Sequence, residues 1–213
     1  MKRFYVILPA LLGSVAMAFA QKGPYTYGVV PLEQLNMKQY ENDTTANAVV
    51  LYEYGNSVIE RDRMGEIKLF YTYKARVKIF KKEAFDKATY RIPLAKSPES
   101  RDKEKLVYAK AIALNEYEAP VALKEKDVFT ENYSERFDVA KFTIPNVVEG
   151  TVFDVEYQTV SPFMYNFQEW RFQDDIPKAH SEYHTSIPGN YQYHIKLVGY
   201  LELDDHTGSV KKG

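Results

Sequence analysis

The sequence predicts an all-β protein: an antiparallel β-sandwich with one or two short helical turns, preceded by a cleaved signal peptide. Three observations carry that prediction. Residues Glu66 to Lys81 alternate for the most part between apolar and polar side chains, the period of a half-buried strand. Further short runs of the same kind recur along the chain, separated by Gly, Pro and Asn turn signals. The first twenty residues have the layout of an export signal.

That signal reads as Lys2 and Arg3, an uncharged apolar run from Phe4 to Val15, and small residues in Ala18-Phe19-Ala20. The run is too short for a comfortable membrane span, so cleavage before Gln21 is expected, with no transmembrane segment afterwards. The expected location is the periplasm, the cell surface or the medium. No Cys occurs in the chain. This excludes a lipid-anchored form, thiolate nucleophiles and zinc–thiolate sites.

Residues 21–46 form a lead-in. Lys22-Gly23-Pro24 to Pro31 is extended, and Leu32, Leu35 and Met37 fit one or two helical turns. The sandwich domain is expected over residues 47–203. A first strand begins at Ala48 to Tyr52, and Tyr54-Gly55-Asn56 reads as the turn that ends it. In the next strand Ile67, Leu69, Tyr71, Tyr73, Ala75, Val77 and Ile79 line one face. Lys68, Thr72, Lys74, Arg76 and Lys78 line the other, which reads as a solvated cationic face or one turned to an acidic partner. Helical turns fit Lys81 to Phe85 and Lys126 to Glu131. Strands fit Thr89 to Leu94, Leu106 to Leu114, Phe137 to Ile144, Thr151 to Ser161, Trp170 to Gln173 and Glu182 to Ile187. The alternation returns at Tyr193, Ile195, Leu197, Leu201 and Leu203. Residues 204–213 read as a turn and the start of a further strand, as if the chain were the front part of a longer one.

Composition and motifs narrow the function classes. The chain carries 28 basic and 29 acidic side chains, which argues against a nucleic-acid surface. No Gly-x-Ser-x-Gly element accompanies the four histidines. His180 and His184 would lie ~13 Å apart on a strand, too far to share a metal. Asp174-Asp175 and Asp204-Asp205 are adjacent acids, better suited to turns than to acid–base pairs, so a carboxylate-dependent hydrolase is a weak alternative. No catalytic residue, metal ligand or cofactor is assigned. The chain holds 18 Tyr and one Trp, and its densest aromatic cluster runs from Ser161 to Phe172. Phe163, Tyr165, Phe167, Trp170 and Arg171 are the candidate surface for a glycan, a peptide or a partner. The competing reading has these rings plugging one end of the sandwich.

Several stretches resemble the domain of unknown function found N-terminal to a transglutaminase-like domain in secreted Bacteroidetes-type proteins. They are Ala48 to Gly55, Val77 to Glu83, Lys141 to Val147, Glu149 to Val152, Ser161 to Phe163, and Trp170 to Gln173 running on to Ile176-Pro177. The resemblance implies a β-sandwich module whose partner in the same chain is a papain-like fold with a Cys-His-Asp site. With no Cys in these 213 residues, none of those catalytic residues carries over. The expected function is therefore a non-catalytic exported module for interaction or substrate positioning, with a free-standing periplasmic binder of glycan or peptide as the alternative.

Overall fold

The computed structural model describes residues 25–199 and 201–210, so the expected signal peptide at 1–20 lies outside the described residues. Nine strands follow one short helix, α1 (Leu32–Asn36). They are β1 (Ala48–Arg61), β2 (Ile67–Ile79), β3 (Thr89–Ala95), β4 (Lys105–Leu114), β5 (Val121–Ala122), β6 (Phe129–Asn132), β7 (Phe137–Thr143), β8 (Val152–Ser161) and β9 (Ser181–Ser186). A six-stranded sheet runs β5-β4-β8-β2-β1-β9, and a three-stranded sheet runs β3-β7-β6.

β1 and β2 form one long hairpin in register from Ala48↔Ile79 to Arg61↔Ile67. Asp62 closes its tip, its Oδ1 accepting from the Met64 and Glu66 amides, with Gly65 at φ +82°. That left-handed position is one that glycine occupies without steric cost. The small sheet packs on one end of the large one. Ile92, Leu94, Ala140, Phe142 and Ile144 meet Ala75, Val77, Ala111, Ala113, Phe153 and Val155 in one buried cluster. Alternation places these residues on facing sides of the two sheets, which is why a period-two sequence yields a two-layer core.

The structure corrects the sequence reading at several places. The sheet is antiparallel except at its edge, where β9 runs parallel to β1. Tyr54-Gly55-Asn56 is no turn but lies inside β1, because the glycine makes room for aromatic rings above it. Trp170 to Gln173 forms no strand, since Trp170 folds back over β1 and β9. The alternating segment from Tyr193 to Leu203 forms no strand among the described residues, nor do residues 204–210. Tyr193 is instead fastened to the preceding loop, its hydroxyl donating to the Met164 carbonyl at 3.0 Å. The helical turn expected at 126–131 shrinks to a 3-10 turn at Glu125–Asp127, and β6 follows it. The turn expected at 81–85 is a 3-10 helix over Lys82–Ala88.

The cationic face of β2 divides into two. Lys68 and Lys74 are half-exposed, whereas Arg76 and Lys78 are only 2% and 1% exposed. The lead-in lies across that end of the sheet and buries them.

Candidate interaction surface

The sequence cluster from Phe163 to Arg171 is split between inside and outside. Trp170 stacks on Tyr183 with ring centroids 5.3 Å apart and donates its Nε1–H to Ser181 Oγ at 3.1 Å. It also sits directly over Gly55, where an added Cβ would lie 2.4 Å from the indole ring. The indole is therefore a plug on the end of the sandwich, with both the ring face and the N–H used internally. Phe167 packs edge-on against Tyr193 at 4.9 Å. Arg171 turns to Glu169, pairing at 3.1 Å, and both side chains are well exposed. Phe163 lies 6.1 Å from Tyr165, and Tyr165 is 81% exposed. Of the five candidates, Tyr165 and Arg171 thus face solvent, while Trp170 and Phe167 are committed to packing.

Beneath the indole lies a buried ion pair that sequence reasoning missed. Lys178 Nζ donates to Glu53 Oε2 at 2.7 Å, with side-chain exposures of 6% and 8%. Ser181 Oγ donates to the same oxygen at 3.0 Å, and Tyr73 donates to Glu53 Oε1 at 2.9 Å. Lys178 also donates to the Arg171 carbonyl at 2.6 Å. Every partner of Glu53 is thus supplied by the protein, the arrangement a buried charge requires. The carboxylate is nearly closed off from solvent, and the network fastens β9 and the Trp170 loop to β1. One signal was available: Glu53 occupies a core-facing position of β1, where alternation calls for an apolar residue.

The outer face of the six-stranded sheet offers a different surface. Three rungs cross it side by side. The first is Glu182, Tyr54, Lys74, Glu156 and Lys110. The second is His184, Asn56, Thr72, Gln158 and Tyr108. The third is Ser186, Val58, Phe70, Val160 and Lys105. None of these side chains is fully buried, whereas the opposite faces of the same strands hold buried Ser57, Ile59, Leu69, Tyr71 and Thr159.

Hydrogen bonds lock the rungs. Tyr108 donates to Glu156 Oε1 at 2.7 Å, and Gln158 Nε2 donates to Thr72 Oγ1 at 3.0 Å. Lys110 and Lys74 approach Glu156 at 3.2 and 3.7 Å. Burial pushes the Glu156 carboxyl up, but the Tyr108 hydroxyl and the two lysines more than offset this and hold it below the usual carboxylate range. The result is a pre-ordered lattice of charges and hydroxyls beside an apolar rung. Such a surface suits docking by area and charge complementarity.

His180 and His184 point to the same side of β9, their Nε2 atoms 3.7 and 3.3 Å from Glu182 Oε2. Tyr52 stacks on His180 at 4.8 Å and Tyr54 tilts against His184 at 5.3 Å. Among the described residues no group of His, Cys, Asp or Glu is placed to hold a metal ion. No described helix is long and apolar enough to cross a membrane. Asp175, one of the adjacent acids, is paired with Lys87.

No family model matches the chain, and no curated protein matches it. Among solved structures, a "putative protease" from Parabacteroides distasonis is similar over 54% of this chain and 23% of that one, at 9% identity and a TM-score of 0.42. This chain therefore spans under a quarter of that protein's length.

Proposed function

We propose that this protein is an exported, non-catalytic β-sandwich module that docks a neighbouring domain through the open face of its six-stranded sheet. The partner is of the transglutaminase-like class that the sequence resemblance implies, in a longer chain or alongside it. The observation that carries this reading is the ordered three-rung surface itself. Among the described residues the lead-in touches it only where Tyr27 meets Lys110, while sealing the other end of the same sheet face. A sheet face that carries Val58, Phe70 and Val160 half-exposed beside ordered charges has the mixed character of a partner-facing surface. The alternative of a glycan groove built on Trp170 loses its stacking platform, because that ring is occupied by Tyr183 and Gly55.

Site-specific photocrosslinking in the producing cells tests the proposal. A benzoylphenylalanine in place of Tyr54 is expected to join a transglutaminase-like domain, identified by mass spectrometry of the adduct. The same probe in place of Tyr165 is the control and is expected to stay unlinked. Adducts from Tyr165 alone, or none from Tyr54 in a folded protein, would reject the open face as the docking surface.

A further inference from the structure

The lead-in is held to the sheet in the manner of a bound peptide. Arg76 and Asp154 form a two-point ion pair, at 2.7 and 2.8 Å, between side chains that are 2% and 0% exposed. Around this pair all but one of the remaining bonds go to main chain. Arg76 Nη2 donates to the carbonyls of Thr26 and Val29 at 3.1 and 2.8 Å. Asp154 Oδ2 accepts from the Gly28 amide at 2.7 Å. Lys78 Nζ donates to the carbonyls of Leu35 and Gly150 at 2.5 and 2.7 Å. The one side-chain acceptor in the segment is Gln34, bonded to Arg76 Nη1.

The segment's apolar burial is partial, with Val30 and Leu35 only half-buried. α1 buries no residue, and Val29 and Leu32 are 62% and 72% exposed. Its ring contacts are Tyr25, 4.3 Å from the Arg76 guanidinium carbon, and Tyr27, under the Lys110 ammonium. An element of the core would attach by its apolar side chains; this one attaches chiefly by its backbone and two aromatic rings.

A second observation belongs to the same place. Tyr52, in edge contact with Tyr25 and 9% exposed, carries a buried hydroxyl with no hydrogen-bond partner among the described residues. Buried hydroxyls are ordinarily paired, so residues 25–36 leave this end of the cleft incompletely satisfied.

We propose that Arg76, Lys78, Asp154 and Tyr52 form a peptide-binding cleft, occupied in cis by residues 25–36. Its ligand class is a peptide with two tyrosines flanking one residue and a glycine directly after. Charged groups grip the main chain, the rings supply the anchors, and the glycine supplies the left-handed turn at φ +75°. The cleft adjoins the first open rung, whose Lys110 lies over the Tyr27 ring. Arg76, Lys78, Asp154 and Tyr52 nevertheless belong to none of the rungs, and the proposal does not rest on the rungs' partner.

An exchange experiment on the full chain decides it. A protease recognition sequence is inserted between Glu41 and Asn42, both exposed, and the purified protein is cut there. A fluorescent peptide of sequence 25–36 is then added, with anisotropy and native mass spectrometry as readouts. The labelled peptide is expected to replace the cut segment while the circular dichroism of the body stays unchanged. Gly28→Pro in the peptide removes the amide that Asp154 accepts and forbids the required φ, so binding falls by about tenfold or more. Replacing Val29 and Leu32 together by Ser is expected to leave affinity within about threefold, since both side chains face solvent. Failure of the labelled peptide to exchange, or unfolding of the body on release, would show the lead-in to be an integral part of the fold and would overturn the proposal. Equal binding by the Gly28→Pro peptide would overturn it as well.

Discussion

At the scale of single residues, two positions hold the closed end of the sandwich together. Gly55 is the floor on which Trp170 and Tyr183 lie, with hypothetical Cβ contacts of 2.4 and 2.7 Å to those rings. A methyl group there drives both rings off the sheet. Gly55→Ala is therefore expected to cost about 1–3 kcal/mol in a urea melt. The cost should be smaller in a Trp170→Ala background, since one of the two clashes is gone. Equal costs in the two backgrounds would mean that the indole does not rest on this glycine. The second position is Lys178, the counter-ion of Glu53. Lys178→Met leaves a carboxylate buried without its cation and should cost about 3–5 kcal/mol, with Glu53→Gln in the same chain recovering part of that. A loss under ~1 kcal/mol would place the pair among exposed bridges of little consequence.

At the scale of elements, alternation was the legible signal and tertiary contact the illegible one. β2, β3, β4, β7, β8 and β9 fall within a residue or two of where period-two patterning puts them, because a sheet with one buried face imposes that period directly. The reading failed where a distant segment reassigns a local signal. Gly55 looks like a turn until Trp170 is seen above it, and Arg76 and Lys78 look solvated until the lead-in is laid over them. The open face shared this fate: half of one alternating row is buried and half exposed, and only the path of residues 25–36 separates the halves. Residues 192–199 fail in the opposite sense. They carry a strand pattern, yet none of them enters a strand, and Ile195, Leu197 and Val198 are 71%, 57% and 85% exposed. Amide hydrogen exchange should therefore find His194 to Val198 among the fastest positions, and Val77 and Val155, in central strands, among the slowest. Protection of 194–198 comparable to β2 would mean that this segment is paired in solution.

At the scale of the whole molecule, the unusual tyrosine content becomes a pH response. Burial raises the hydroxyl pKa of Tyr25, Tyr71, Tyr73, Tyr90 and Tyr157 well above the ordinary value. Below about pH 10 these groups are protonated in both folded and unfolded chains and contribute no slope. Above it the unfolded chain releases protons that the folded one retains, so stability falls as pH rises, by up to about 1.4 kcal/mol per pH unit for each such tyrosine. Lys78 acts with the opposite sign. Burial and the charge of Lys38 lower its pKa to about 8. Between there and the ordinary lysine range, near 10.4, the unfolded chain binds the extra proton and stability rises with pH. The two contributions meet near pH 10, and a single lysine cannot match five tyrosines. Urea midpoints should therefore rise modestly from about pH 8 to 10 and then fall steeply. Lys78→Met should flatten the rise and leave the fall intact, while Tyr90→Phe, whose ring stacks on Phe142 at 5.2 Å, should make the fall shallower. Ultraviolet tyrosinate absorbance on the same samples supplies the check on cause. If the native protein develops its full tyrosinate signal at the ordinary pKa while remaining folded, the buried hydroxyls are not what closes the alkaline limit.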